Sequence, residues 1–173
     1  MTTVVDQYGD LRQDDGVESA DLDLPTLVSL AGPAVVSLLL QRIADAGHQG
    51  VKPSHGYVIQ RLVEEEPTVG ALAESLRMTQ QGASKQVNDL ESLGYVERIV
   101  DETDHRIRYV RLTAAGREVL EAGRAARLDL ERELVARVGQ DTVDAARSAM
   151  VGLLQLTGLE RHISSRSVPL PRD

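Results

Sequence analysis

The chain has 173 residues, 42% apolar and 27% charged, with a formal net charge of −8. That length can bury a real core in one domain or two small units. Phe, Trp and Cys are absent, which excludes disulfides, thiolate metal sites and cysteine redox switches, and leaves Leu, Val, Ile and Ala to build the core. Such a core favours helix-on-helix packing over an aromatic-rich β-sandwich. The charge is uneven. Residues 1–24 hold seven acids and one base, so they account for −6 of the −8. The local field, not the total, decides what a surface attracts.

Residues 1–22 are acidic and show no apolar period, the signature of a disordered or loosely docked arm. Residues 24–41, LPTLVSLAGPAVVSLLLQ, carry no charge. Such a run could be a membrane span or a leader, and Ala44-Asp45-Ala46 resembles a cleavage site. The preceding flank is acidic where a leader is basic, the run is short, and Gly32-Pro33 interrupts it. It reads instead as a buried helix within residues 23–47, restarted or kinked at Pro33 and ended near Gly47. Apolar residues nearly all round require cover on several sides. A second subunit is the obvious cover. No membrane partner and a cytoplasmic location are the expectations.

Gly50-Val51-Lys52-Pro53 reads as a linker. Ser54 then caps a helix with Val58, Ile59 and Leu62 inside, which Glu64-Glu65-Glu66-Pro67 ends. Thr68 caps the next helix. From Thr68 to Tyr95 the pattern is two helices and a tight turn. The first carries Leu72, Ala73 and Leu76 on one face. The second places Ala83, Val87 and Leu90 at i, i+4 and i+7. Arg77-Met78-Thr79 makes the turn, with Thr79 as N-cap, and Gly94 suits the C′ position. This is the pattern of a helix-turn-helix. Thr79, Gln80, Gln81, Ser84, Lys85 and Asn88 occupy the start and outer face of the second helix. Gln and Asn pair with adenine edges, Lys with guanine, and Ser with base or phosphate. The alternative is an ordinary solvated helix face.

After Gly94 the period changes to two. Residues 95–100 and 107–112 read as strands around the polar loop 101–106, a β-hairpin. Arg98, Arg106, Arg108 and Arg111 make it the most basic stretch of the chain. A helix-turn-helix followed by an Arg-bearing hairpin is a winged helix, with the wing suited to the minor groove. Asp104, His105, Arg106 and Arg108 are its candidate DNA contacts. Asp104 precedes Arg106 by two residues, so in an extended strand it would orient the guanidinium.

Thr113 caps a long helix to about Val138, with Val119, Leu120, Ala126, Leu130 and Leu134 inward. Gly139 stops it, and Asp141 and Asp144 open a last helix. The fold class is therefore mainly α with a small β-hairpin. Its expected parts are an acidic arm (1–22), an N-terminal dimerisation helix (23–47), a winged helix-turn-helix (53–113), C-terminal dimerisation helices (114–162) and a flexible tail (163–173).

The stretch LAESLRMTQQGASKQVNDLESLGYVER, the wing DETDHRIRYVRLT and Thr113-Ala114-Ala115-Gly116 together resemble the MarR (multiple antibiotic resistance regulator) family, over about Leu24 to Arg161. The family's wing has the form D-P-x-D-R-R ending in L-T. Asp101, Asp104, Arg106, Leu112 and Thr113 match it, while Glu102 stands for the Pro and His105 for the first Arg. Lys85 stands where the family often has Arg. The resemblance implies a homodimer on a pseudo-palindromic operator of double-stranded DNA, usually a repressor. It also implies a pocket for a small aromatic or phenolic effector between the dimerisation helices and the winged helix.

His48 and His55 flank the entry to the second helix and are the candidate pocket residues; scattered surface histidines are the plainer reading. No cofactor or metal is expected. No phosphate-binding loop, dinucleotide fingerprint, metalloprotease motif or nucleophile elbow occurs, so no enzymatic activity is expected. The acidic total leaves one competitor, a winged helix that binds protein instead of DNA.

Overall fold

The computed structural model describes residues 18–159. After a 3-10 turn at Ser19–Asp21 come α1 (Leu24–Asp45), α2 (Pro53–Arg61), α3 (Val69–Ser75) and α4 (Gln80–Ser92). The hairpin β1 (Val96–Val100) and β2 (Arg108–Leu112) follows, then α5 (Ala114–Val138) and α6 (Gln140–Leu156). The protein is mainly α with one antiparallel hairpin. Most of the expected acidic arm, and all of the expected tail, lie outside the described residues.

The chain divides inside α1 into a unit ending at Val35 and a unit beginning at Val36. In the first, the Asp23 carboxylate accepts from the Thr26 amide at 2.8 Å and satisfies one of the free donors of the first turn. The helix continues through Pro33. It does not restart there, although the pyrrolidine removes one backbone donor. In this first part of the helix Leu24, Leu30 and Val35 are exposed, Leu30 by 62%. By length and composition α1 is apolar enough to cross a membrane.

The second unit holds the core. Val58, Ile59 and Leu62 of α2 meet Leu72 and Leu76 of α3, Val87 and Leu90 of α4, Val96, Val110 and Leu112 of the hairpin, and Val119 of α5. The stripe Ala83, Val87, Leu90 that the helical period predicts is fully inside. Leu72 and Leu90 have no solvent exposure, and truncating either to Ala would cost about 2–5 kcal/mol. Two residues join the core that an aliphatic inventory leaves out. Tyr95 is 6% exposed and donates its hydroxyl to the Gln49 carbonyl at 3.1 Å, and His55 is 0% exposed.

The start of α2 differs from the sequence reading. Lys52, not Ser54, is the N-cap, and Pro53 takes the first helical position, where its missing N–H costs nothing. Three residues on, the Nδ1 of His55 accepts from the Lys52 amide at 3.2 Å. Ser54 is left free to donate to Gln86 Oε1 on α4 at 2.9 Å.

The turn of the helix-turn-helix is tight. Met78 N donates to Ala73 O at 2.9 Å, and Arg77 takes φ +51. That left-handed conformation costs an L residue about 1 kcal/mol. The Thr79 hydroxyl accepts from Gly82 N at 3.0 Å and starts α4. At the far end Gly94 takes φ +77, a conformation glycine enters without a Cβ penalty. Tyr95 N then closes back on Leu90 O at 3.0 Å.

In the hairpin Val96 pairs with Leu112 and Val100 with Arg108. Val110 N also donates to Pro67 O at 2.9 Å, and Thr68 bridges Tyr109. The wing root is thereby stitched to the start of α3. Thr113 caps α5, accepting from Gly116 N at 3.0 Å while donating to Gly94 O at 2.7 Å. Of the apolar residues assigned inward on α5, Val119 and Ala126 are buried and Leu120 and Leu130 are partly covered. Leu134 is 46% exposed, so within one chain this part of the assignment fails. The helix runs on past the core there, and Leu128, Val138, Val151 and Leu156 of α5 and α6 are exposed with it.

Candidate nucleic-acid interface

The N-caps at Thr68 and Thr79 fix the directions of α3 and α4. The apolar stripe of α4 faces the core, which leaves its opposite face outward. Thr79, Gln80, Gln81, Lys85 and Asn88 are exposed on that face and Ser84 is half-buried. Gln81, Lys85 and Asn88 recur at i, i+4 and i+7, so they form one outward row.

Beside this row an open groove of about 690 Å³ runs between α4 and the wing. It is lined by Gln80, Gln81 and Ser84 of α4, by Arg98, Arg106, Ile107 and Arg108 of the hairpin, and by Thr68, Val69 and Gly70 at the start of α3. The α3 contribution escaped the sequence reading. Its signal was present in Pro67-Thr68, a cap whose carbonyl neighbour pairs with β2.

The loop of the wing is built by carboxylates. Asp101 Oδ1 accepts from Thr103 N at 2.7 Å, Thr103 Oγ1 at 2.5 Å and Asp104 N at 2.9 Å. These bonds, led by the Thr103 hydroxyl, hold the Asp101 carboxyl down at about 2. The Tyr109 hydroxyl also bonds Asp101, and that bond raises the phenol. Ile107 N donates to Asp104 O at 2.9 Å, which places His105 and Arg106 at the tip of a turn. Asp104 does not orient the Arg106 guanidinium. Its Oδ1 accepts from the Arg106 backbone amide at 3.0 Å, because the chain turns here where the sequence reading had it extended.

Four wing arginines divide into two kinds. Arg98 bonds Glu91 and Asn88 on α4, and Arg111 pairs with its cross-strand neighbour Glu97 at 2.9 Å. Arg106 and Arg108 have no acidic partner within 4 Å among the described residues, nor has Lys85. The cations of the groove that remain available to an anion are therefore those nearest the wing tip.

His48 and His55 stand in different surroundings. His48 is half-exposed and stands edge-on to Tyr95, with ring centroids 6.2 Å apart. His55 is enclosed where α2 meets α4. Its Nε2 lies 4.0 Å from Asp89 Oδ2, and Asp89 is bonded by Lys52 at 2.6 Å. Burial, and then the Lys52 ammonium, lower the His55 pKa, while Asp89 opposes them. Among the described residues no cluster of His, Asp or Glu suits a metal ion.

Residues 49–107 match the model of the MarR family. No curated protein matches the chain. Among solved structures, the chain resembles the S. aureus MepR–DNA complex at TM-score 0.60 and 19% identity, over 78% of this chain and 97% of that one. A probable transcriptional regulator from Pseudomonas aeruginosa gives TM-score 0.57 and 23% identity, over 78% and 98%. YusO from Bacillus subtilis gives 0.58 and 19%, over 78% and 99%. Identities this low speak for the fold, and that fold is the winged helix with flanking helices described above. Over residues 49–107 the chain is similar to the MarR family, and its fold is that of the winged helix-turn-helix structures it resembles.

Proposed function

We propose that the protein is a sequence-specific regulator of transcription that binds double-stranded DNA as a homodimer, most simply a repressor of a pseudo-palindromic operator. One observation carries this reading. The groove between α4 and the wing presents Arg106 and Arg108, without acidic partners among the described residues, beside the polar row Gln81, Lys85, Asn88. A major-groove helix flanked by free arginines reads base edges while the arginines meet phosphates or the minor groove. One of the structures sharing this fold is a complex with DNA. The net charge of −8 does not oppose the reading, since most of it lies in residues 1–24.

A homodimer accounts for the apolar surface left open in one chain. Leu30, Val35, Val36 and Leu38 on α1, and Leu128, Leu134, Val138 and Val151 on α5 and α6, would be covered by their counterparts. The same cover explains how α1 is so apolar without a membrane, and it agrees with a cytoplasmic location. A small aromatic or phenolic effector, bound between the dimerisation helices and the winged helix, would release the DNA.

The test is a footprint and mobility-shift assay of the purified protein on DNA upstream of its own gene, with sedimentation run in parallel. The reading expects a protected inverted repeat and a dimer at micromolar concentration. A dimer that selects no sequence, yet retains a protein partner through the wing, would favour the protein-binding alternative.

A further inference from the structure

The start of α2 is seated on α4 by two bonds, and both fall on one flank of that helix. Ser54 donates to Gln86 Oε1 at 2.9 Å, and Lys52 Nζ donates to Asp89 Oδ2 at 2.6 Å. At about 100° per residue, Gln86 and Asp89 border the outward residues Gln81 and Lys85 on one side. Ser84, which lines the groove, and Glu91, which holds Arg98, border them on the other. The start of α2 and the wing therefore stand on opposite flanks of α4.

The Lys52 backbone is fixed, because its amide donates to the enclosed ring of His55. The side chain beyond it is 56% exposed. An ammonium has three donors. Asp89 takes one, and no other acceptor bonds Lys52 among the described residues. The bond from Lys52, and more weakly the charge of Lys85, lower the Asp89 pKa, so the three charges stand close together. The two lysines outnumber the acid between them.

We propose that Lys52 binds a DNA phosphate, on the strand that walls the major groove opposite the wing. The groove is about 12 Å wide, and a helix with its side chains is about 10–12 Å across, so a phosphate backbone runs along each flank. Arg106 and Arg108 serve the wing side. Lys52 serves the other, with Asp89 limiting where its ammonium can go and two donors left for phosphate oxygens. Each subunit then grips both walls of the groove, which fixes the register of α4 without reading a base. This inference rests on the DNA-binding reading and deepens it.

The experiment measures binding of the footprinted operator by the full chain, by Lys52→Met and by Lys52→Arg, with thermal melts of each. It is repeated on duplexes in which single phosphates are replaced by neutral methylphosphonates. Lys52→Met keeps the backbone amide that His55 uses, so it should melt close to wild type. It should bind about tenfold more weakly per subunit, with a salt slope lower by roughly one unit per subunit. Neutralising one phosphate on the flank away from the wing should weaken the wild type and Lys52→Arg but not Lys52→Met. Neutralising phosphates at the wing should weaken all three alike. Lysine acylation of the wild type, read by mass spectrometry, decides the matter should Lys52→Met not fold. The chain has two lysines, 52 and 85, and the operator should shield both.

Wild-type affinity and salt slope in Lys52→Met, or equal losses in all three proteins at every phosphate, would overturn the proposal. So would a Lys52 acylated as fast with operator as without it. In each of those cases DNA binding through α4 and the wing would stand. A wild type that binds no DNA would instead defeat the DNA-binding reading, and this inference with it.

Discussion

Gly116 lies against the backbone carbonyl of Tyr95 so closely that a Cβ at position 116 would collide with that oxygen. The contact joins the first turn of α5 to the residue that closes α4. The Thr113 amide reinforces it by donating to the same carbonyl at 3.1 Å. Backbone, unlike a side-chain tip, cannot swing aside, so relief requires α5 to move relative to α4. Gly116→Ala should destabilise the fold by about 1–3 kcal/mol, read as a lower urea midpoint at unchanged m-value. Wild-type stability in that variant would mean that the junction is looser than this geometry.

His55 predicts a dependence of stability on pH. Its folded pKa lies below the ordinary 6.5, chiefly because burial disfavours the imidazolium. Below about pH 6.5 the unfolded chain therefore takes up a proton that the folded chain resists. Stability should be fully present above that pH and should fall as the pH drops through 6.5 towards the lower folded value. Protonation would also remove the lone pair of Nδ1 that accepts from the Lys52 amide. Chemical denaturation from pH 8 to 5 should show this decline, and His55→Gln, which retains an acceptor, should flatten it. An equal decline in the variant would assign the effect to other groups.

Asp101 predicts the opposite end of the scale. Held at about 2 by the Thr103 hydroxyl and the Asp104 and Thr103 amides, it favours the ordered wing at any pH above its unfolded value of 3.8. That contribution fades as the pH falls from 3.8 through 2. At neutral pH, Asp101→Ala should leave global melting close to wild type while the amides of Thr103 and Asp104 exchange faster. Unchanged protection of those two amides would show that the loop holds without the carboxylate.

Arg106 and Arg108 predict the salt dependence of DNA binding. Each phosphate contact contributes close to one unit to the slope of log affinity against log salt. Arg106→Ala and Arg108→Ala should each reduce that slope by roughly one unit per subunit and weaken all sequences alike. Arg111→Ala, which loses only an exposed pair with Glu97, should change neither. A slope unmoved by the first two variants would remove the wing from the interface.

Much of this molecule is written in local pattern. The spacing of Ala83, Val87 and Leu90, the threonine caps at 68, 79 and 113, and the switch to a period of two after Gly94 each concern residues within one helix, one turn or one strand. Such signals depend on backbone geometry alone, so they place the helix-turn-helix, the wing and α5. The cap of α2 was misread because Pro53 suits a linker as well as a first helical position.

What the sequence could not decide is which polar groups are already taken. Arg98 and Arg106 are indistinguishable as letters in a basic hairpin. Only the packing of the hairpin on α4 engages the first with Asn88 and Glu91, and only the turn at His105-Arg106 sends the second to the tip, without an acidic partner among the described residues. His55 is another such case, where the seating of α2 on α4 turns a plausible surface ligand into a fully enclosed ring. Pairing and burial depend on elements that meet in space from distant positions, through side-chain directions that no local period encodes. The sequence by itself determined where the helices and strands lie, and the tertiary structure decided which of their charges and amides remain free to bind.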